Sequence, residues 1–225
     1  MKLKVNIGRM CGMKVYLHAS FAIIPAYYLW DDLSWDGVML CGIVVSTLLM
    51  HELAHAAVAR LFGNRPIKMM FHGAGACVRL RRELGNTWRD ALIVLAGPAS
   101  NLLAGAVAWY CHEMVRARFG DGLECLRSFL CYGAIVNGMI GGLNLLPAYP
   151  LDGGRLFRWI ASCLMKKRKA ALTVLCAGII SAIAYVAWGC KLAFCNGGFI
   201  DLCIMLLVSV VVVGACWAEY VLSNE

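Results

Sequence analysis

The sequence predicts an all-α polytopic membrane protein with about six transmembrane helices and a single domain over residues 1–225. The chain is 61% hydrophobic and 15% charged, whereas a soluble domain is about half apolar and a quarter charged. A helix of about 20 apolar residues crosses the hydrocarbon core of a bilayer. Six stretches approach that length. Five of them contain no Asp, Glu, Lys or Arg, namely 15–30, 91–111, 128–151, 170–190 and 202–218, and the sixth is 37–62.

Residues that favour or break helices predict two irregular segments in this bundle. Apolar and small residues alternate loosely over 67–80, which predicts a hairpin or re-entrant loop after the second helix. The fourth helix is predicted to be broken, because two prolines and two glycines fall within residues 147–154. The first apolar stretch lacks a small-residue cleavage site, so we expect a retained helix. No soluble accessory domain is expected, because the sequence ends soon after the last stretch.

The net charge of +8 is distributed as a membrane topology requires. Basic residues concentrate in 2–14, 60–89 and 155–169, which six helices would place on one side of the bilayer. Because Lys and Arg mark the cytoplasmic side, we expect a multi-pass protein of a bacterial cell membrane with both termini in the cytoplasm. Contact with the lipid bilayer explains the basic excess, and nucleic acid is not expected as a partner.

Most of the twelve cysteines and several amides lie inside the apolar stretches. No two cysteines form a C-x-x-C pair, so the thiols are predicted to be small buried side chains, not metal ligands. Asn101 and Asn137 are expected to make hydrogen bonds between helices and not to bind substrate.

The stretch His51-Glu52-Leu53-Ala54-His55 closes the second apolar run. On a helix, residues i and i+4 share one face, so the two imidazoles can bind one zinc ion. A glutamate beside the first histidine can take a proton from a metal-bound water. Polar neighbours in a helical bundle could also satisfy these side chains. However, three ionisable groups within five residues of a membrane helix are costly, which favours function.

A catalytic zinc needs a third protein ligand and an open position for water. The acidic candidates are Glu83, Glu113, Glu124 and Asp152. The predicted topology places Glu113 and Glu124 on the non-cytoplasmic side of the membrane. Glu83 lies in a basic loop, where an ion pair with a neighbouring arginine explains its presence. Asp152 follows the break in the fourth helix, and a turn-forming role is its plain alternative. The topology permits one Zn²⁺ per chain at His51, His55 and Asp152.

The His51–His55 stretch, the segment 144–154 and the segment 96–101 together resemble the site-2 protease family of intramembrane zinc metalloproteases, peptidase family M50. The resemblance implies that His51, His55 and Asp152 bind zinc and that Glu52 is the catalytic acid and base. It implies that Asn144 aligns the substrate or the oxyanion. The sequence looks most similar to the sporulation members of the family. They remove the pro-sequence of a membrane-associated sigma-factor precursor at the outer forespore membrane.

Two departures from those members concern regulation and substrate contact. The sporulation members carry a C-terminal nucleotide-binding CBS domain, and no such domain is expected here. The loop 71–78 also differs from their Pro-Phe-Gly-Gly sequence. Gly73 and Gly75 in this loop are candidate substrate contacts, because the segment could offer a strand edge to an extended substrate. A plain re-entrant turn is the alternative.

Other functions remain compatible with the sequence. The same protease could act on another substrate, such as an anti-sigma factor, and membrane proteins could inhibit it. A non-catalytic metal-binding membrane protein could use the same ligands without needing Glu52.

Overall fold

The computed structural model describes residues 4–29, 34–73, 75–85, 87–120, 122–196 and 199–222, with side chains described outside 192–204. Within these residues, seven helices, four strands and a 3₁₀ turn follow one another. They are β1 (Lys4–Met10), β2 (Met13–His18), the 3₁₀ turn (Ala19–Ala22), α1 (Ile23–Leu29), α2 (Trp35–Leu61), β3 (Pro66–His72), β4 (Gly75–Leu80), α3 (Trp88–Phe119), α4 (Glu124–Asn144), α5 (Asp152–Leu164), α6 (Lys167–Asn196) and α7 (Phe199–Leu222).

Five of the described helices are long and apolar enough to cross a membrane. They lie in α2, α3, α4, α6 and α7, which confirms a helical multi-pass membrane protein. The first predicted span differs from the rest, because residues 15–30 divide into the end of β2 and the short apolar helix Ala19–Leu29. The alternation of Met13, Val15 and Leu17 with polar residues suits a half-buried strand, and hydropathy alone did not reveal it.

A four-stranded sheet adds to the predicted helical fold. Its strand order is β1-β2-β3-β4, with β1 and β4 antiparallel to their neighbours and β2 parallel to β3. One face of the sheet packs on α2 through a core of Met13, Val15, Met69 and Phe71 around Ala56. The β3–β4 pair confirms the hairpin that was predicted after the second helix.

The helix α2 has well-defined ends. The Ser34 side chain caps its first turn by accepting a hydrogen bond from the Gly37 N–H at 3.1 Å, and Asp36 lies in that turn. Arg60 lies in the last turn, where a cation favours the helix dipole. Beyond the helix, Gly63 has φ of 74°, the left-handed conformation that terminates helices.

The chain divides into two compact units, residues 1–85 with 96–142 and residues 86–95 with 143–225. The first unit contains the sheet, α2 and most of α3 and α4. Within it α3 and α4 approach closely, since a Cβ on Gly105 would lie 3.2 Å from the Ala134 carbonyl oxygen.

The second unit contains the break in the fourth predicted helix. Helix α4 ends at Asn144 and α5 begins at Asp152, which confirms the break. Gly153 is required there, because a Cβ on it would lie 2.3 Å from the Leu145 carbonyl group. Helices α6 and α7 support the turn through Leu175, Val212 and Cys216, which pack on Ala148.

Candidate metal centre

The two histidines of the second helix point their rings at one place. The Nε2 atoms of His51 and His55 are 3.0 Å apart, and their rings meet edge to face at a centroid distance of 4.7 Å. His51 is 5% exposed. Because the spacing i, i+4 puts both side chains on one helix face, two nitrogen donor atoms converge within the first unit.

Helix α3 closes over these rings at a glycine. A Cβ on Gly97 would lie 2.3 Å from Nε2 of His55 and 2.7 Å from Nε2 of His51. A side chain at this position would force the imidazoles or α3 to shift, so the α3 backbone itself forms the wall of the histidine site. The next residue, Pro98, is fully buried within the helix.

Asn101, one turn further along α3, contacts the first histidine. Its Nδ2 lies 3.2 Å from Nδ1 of His51, and the residue is fully buried. The Asn101 Oδ1 has no hydrogen-bond partner among the residues that the structure describes. The expected interhelical hydrogen bond is therefore made, and it goes to a predicted metal ligand.

Glu52 is held by the edge of the sheet. Its Oε2 accepts a hydrogen bond of 2.7 Å from the Val78 N–H, and only 8% of the residue is exposed. Strand β4 is the last strand of the sheet, so its outward N–H groups are not used by a further strand. This contact between α2 and β4 was not foreseen from the sequence, because a backbone donor leaves no residue signature.

Asp152 and Asn144 flank the turn of the second unit. Asn144 is the last residue of α4 and Asp152 the first of α5, and both are half-buried. A Cβ on Gly154 would lie 2.5 Å from the Ala148 carbonyl carbon. The start of α5 therefore packs directly on the backbone of its own turn, which restricts where the Asp152 carboxylate can go.

A cysteine on α7 satisfies the backbone of this turn. The Cys216 Sγ accepts a hydrogen bond of 3.2 Å from the Tyr149 N–H and donates to the Tyr149 carbonyl at 3.6 Å. Non-helical backbone at membrane depth needs such partners. Cys216 was predicted only as a small buried thiol, since nothing in the sequence links it to a turn 67 residues earlier.

Gly73 and Gly75 lie at the tip of the β3–β4 hairpin. The Gly73 N–H donates to Ser20 Oγ at 3.0 Å, and a Cβ on Gly73 would lie 2.7 Å from the Ser20 carbonyl oxygen. Gly75 has φ of 122°, a conformation that favours glycine. Their packing accounts for both glycines, and their contact with a substrate stays a prediction.

His72 lies beside this tip. Burial and the nearby charge of His18 lower the pKa of the His72 imidazole, which favours its neutral form.

The comparisons with known proteins agree with this fold. Residues 113–187 match the Peptidase family M50 model, a range that includes Asn144 and Asp152. The chain is 28% identical to a zinc metalloprotease of Methanocaldococcus jannaschii over 171 residues, 72% of this chain and 47% of that protein. It is 29% identical to the putative zinc metalloprotease Rip3 of Mycobacterium tuberculosis over 224 residues, 89% of this chain and 54% of that protein.

Stage IV sporulation protein FB of Bacillus subtilis is also similar, at 27% identity over 159 residues, 70% of this chain and 51% of that protein. This identity does not exceed those of the other two relatives, so the expected preference for the sporulation members is not found. The chain spans about half the length of the curated relatives it matches.

The site-2 protease from Methanocaldococcus jannaschii has the same fold. The structures agree with a TM-score of 0.68 at 23% identity, over 96% of this chain and 95% of that one. The resemblance to the site-2 proteases is therefore confirmed by the fold and by the peptidase family M50 match. Both of the first two relatives carry the name zinc metalloprotease, one of them as putative.

Proposed function

We propose that the chain is an intramembrane zinc metalloprotease and that residues 1–225 form one catalytic domain. It would cleave a membrane-associated protein near the cytoplasmic face. The observation that carries this proposal is the convergence of His51 and His55 at an Nε2 separation of 3.0 Å, with Glu52 beside them on a helix long enough to cross a membrane.

The residues fit one Zn²⁺ per chain. His51, His55 and Asp152 each offer one ligand atom of a kind that zinc binds, and two imidazoles with one carboxylate form a known catalytic donor set. Gly97 places no side chain of its own over the histidine nitrogens. Bound zinc would lower the pKa of its water and polarise the scissile carbonyl.

Glu52 would move the proton. A carboxylate near the attacking water accepts its proton on Oε and later gives it to the leaving amine. The Val78 N–H hydrogen bond holds Oε2 of this carboxylate in position. We propose that Asn144 aligns the substrate near the oxyanion. An extended substrate segment would pair along β4, near Gly73 and Gly75.

Asn101 would set the proton position on His51. A histidine that binds metal through one ring nitrogen usually donates its other N–H to an oxygen. Rotation of the Asn101 amide by 180° would bring the unpartnered Oδ1 to Nδ1 of His51, which is 3.2 Å from the amide nitrogen. The Nδ1 proton would then be held by Asn101, and Nε2 would be free to bind the metal.

Replacing Asn101 with Leu is expected to weaken zinc binding about 10–100-fold, the usual effect of losing such a partner. The free energy of unfolding of the zinc-free protein should fall by about 1–3 kcal/mol, because the variant loses the buried hydrogen bond between Asn101 and Nδ1 of His51. Zinc affinity can be measured by competition with a fluorescent chelator. Asn137→Leu is the matched control, since Asn137 on α4 also has an unpartnered Oδ1. Equal zinc affinity of both variants and wild type would exclude this role for Asn101.

The substrate proposed first is a sigma-factor precursor, which would lose its pro-sequence. This choice of substrate rests on the resemblance to the sporulation members, one of which is 27% identical to this chain. With that substrate the protein would lie in the outer forespore membrane with both termini in the cytoplasm. Membrane inhibitor proteins would then be further partners.

The function is tested by co-expressing the chain with a sigma-factor precursor and, separately, with a single-pass anti-sigma factor. Cleavage should reduce the size of one of them, and the purified protein should lose activity with 1,10-phenanthroline and regain it with Zn²⁺. Cleavage of the anti-sigma factor alone would replace the substrate and keep the enzyme class. Cleavage that continues after the zinc content has fallen to zero would contradict a metalloprotease.

A further inference from the structure

The strand register places four cations in one row across the sheet. Arg9 of β1 is opposite Lys14 of β2, Lys14 is opposite Lys68 of β3, and Lys68 is opposite Arg79 of β4. We call these four residues the basic row. Because directly paired residues project to the same face of a sheet, their side chains share one face.

This face is the one turned away from the core with α2. The neighbours of Lys14 in β2, Met13 and Val15, are 0% and 6% exposed and belong to the core on the other face. Lys14 itself is exposed, as are Arg9 and Arg79, and Lys68 is half-buried. The basic row therefore forms an accessible surface three strand spacings wide, about 14 Å.

The row has no counter-charge within the described part of the chain. Two ion pairs among the described residues join Arg116 to Glu113 and Arg158 to Glu219, and neither involves the sheet. Like charges directly opposite each other destabilise a sheet, and here three such pairs are adjacent. An anion from outside the protein would remove that repulsion.

The position of the row indicates where the anion comes from. The Arg60 guanidinium donates a hydrogen bond to the carbonyl of Cys11 in the β1–β2 turn. Arg60 lies in the last turn of a helix long enough to cross a membrane. This hydrogen bond joins the β1–β2 turn to the end of a membrane span. The basic row begins at Arg9, two residues before Cys11, so the row lies near that end. The adjoining Leu61 is 82% exposed, as expected for a side chain in lipid.

We propose that the basic row binds the phosphate groups of anionic phospholipids at the cytoplasmic surface of the membrane. A flat row of cations beside the end of a spanning helix fits a layer of headgroups. An acidic peptide would instead be recognised in a groove that orients it. The contact would fix the depth of the sheet, and with it the depth of β4, whose Val78 N–H holds Glu52. The lipid site is independent of whether the chain is a protease.

The test measures lipid binding by the full chain in dodecyl maltoside micelles. Fluorescence polarisation of phosphatidylglycerol labelled on its acyl chain gives the affinity, with labelled phosphatidylcholine as the neutral probe. Each removed cation should weaken phosphatidylglycerol binding about fivefold, the factor equivalent to about 1 kcal/mol. The double variant Lys14→Gln, Lys68→Gln should therefore bind it about 25-fold more weakly. Its midpoint of thermal unfolding in phosphatidylcholine should stay the same or rise, because like-charge repulsion is relieved.

The control removes the same charge elsewhere, in the double variant Arg118→Gln, Lys191→Gln, whose two side chains are exposed. It should bind phosphatidylglycerol as wild type does. An equal loss in both double variants would mean diffuse attraction and would overturn the proposal. Unchanged lipid affinity of Lys14→Gln, Lys68→Gln together with slower cleavage of a substrate bearing an acidic segment would assign the row to that peptide instead.

Discussion

The Glu52→Gln variant is expected to lose cleavage by about 10²–10⁴-fold, the usual contribution of a general base. The amide cannot take the water proton on Oε. It can still accept the hydrogen bond that the Val78 N–H gives to Glu52 at 2.7 Å, so the contact between α2 and β4 should remain. The measurements are substrate turnover in proteoliposomes and zinc content by mass spectrometry.

Zinc content is decisive for the class of protein. A non-catalytic metal-binding protein does not need Glu52, so retained zinc with lost turnover separates an enzyme from a metal carrier. Glu83→Gln is the matched control, because this carboxylate lies in the basic loop outside α2 and should be dispensable. Full turnover by Glu52→Gln would disprove the proposed base.

The Gly97→Ala variant is expected to bind zinc about 10–100-fold more weakly than wild type, which is the usual effect of losing a supporting contact at a metal site. The new Cβ would lie 2.3 Å from Nε2 of His55 and 2.7 Å from Nε2 of His51. The rings or the α3 backbone must shift, and we expect the shift to disturb the convergence of the two donor atoms. Overpacking should also lower the free energy of unfolding by about 1–3 kcal/mol.

The matched control for Gly97→Ala is Gly42→Ala on α2, because a Cβ there would meet nothing within 4 Å. Its zinc affinity should equal that of wild type, and its stability should rise slightly from the better helix propensity of alanine. Normal zinc affinity of Gly97→Ala would mean that the histidines bind metal in another arrangement, and the proposed site would have to be abandoned.

The membrane helices and the predicted catalytic helix could be recognised from local pattern. The i, i+4 spacing of His51 and His55 fixes a shared helix face wherever the helix lies. The break before Asp152 was recognised for a similar reason, since proline and glycine act on the backbone next to them. The strand β2 was missed, because its alternating residues continue directly into the apolar helix Ala19–Leu29, and hydropathy alone does not separate the two elements.

A helical membrane protein with an H-E-x-x-H helix can be predicted from the sequence, because apolar length and residue spacing are properties of one continuous segment. The contacts that hold this helix in place are visible only in the fold: the Gly97 backbone against the imidazoles, the Asn101 side chain at His51 and the Val78 N–H at Glu52. The same holds for the basic row, since strand register joins residues as far apart as Arg9 and Arg79. Such contacts depend on packing between distant segments, and a backbone donor or a missing side chain leaves no distinctive residue to read.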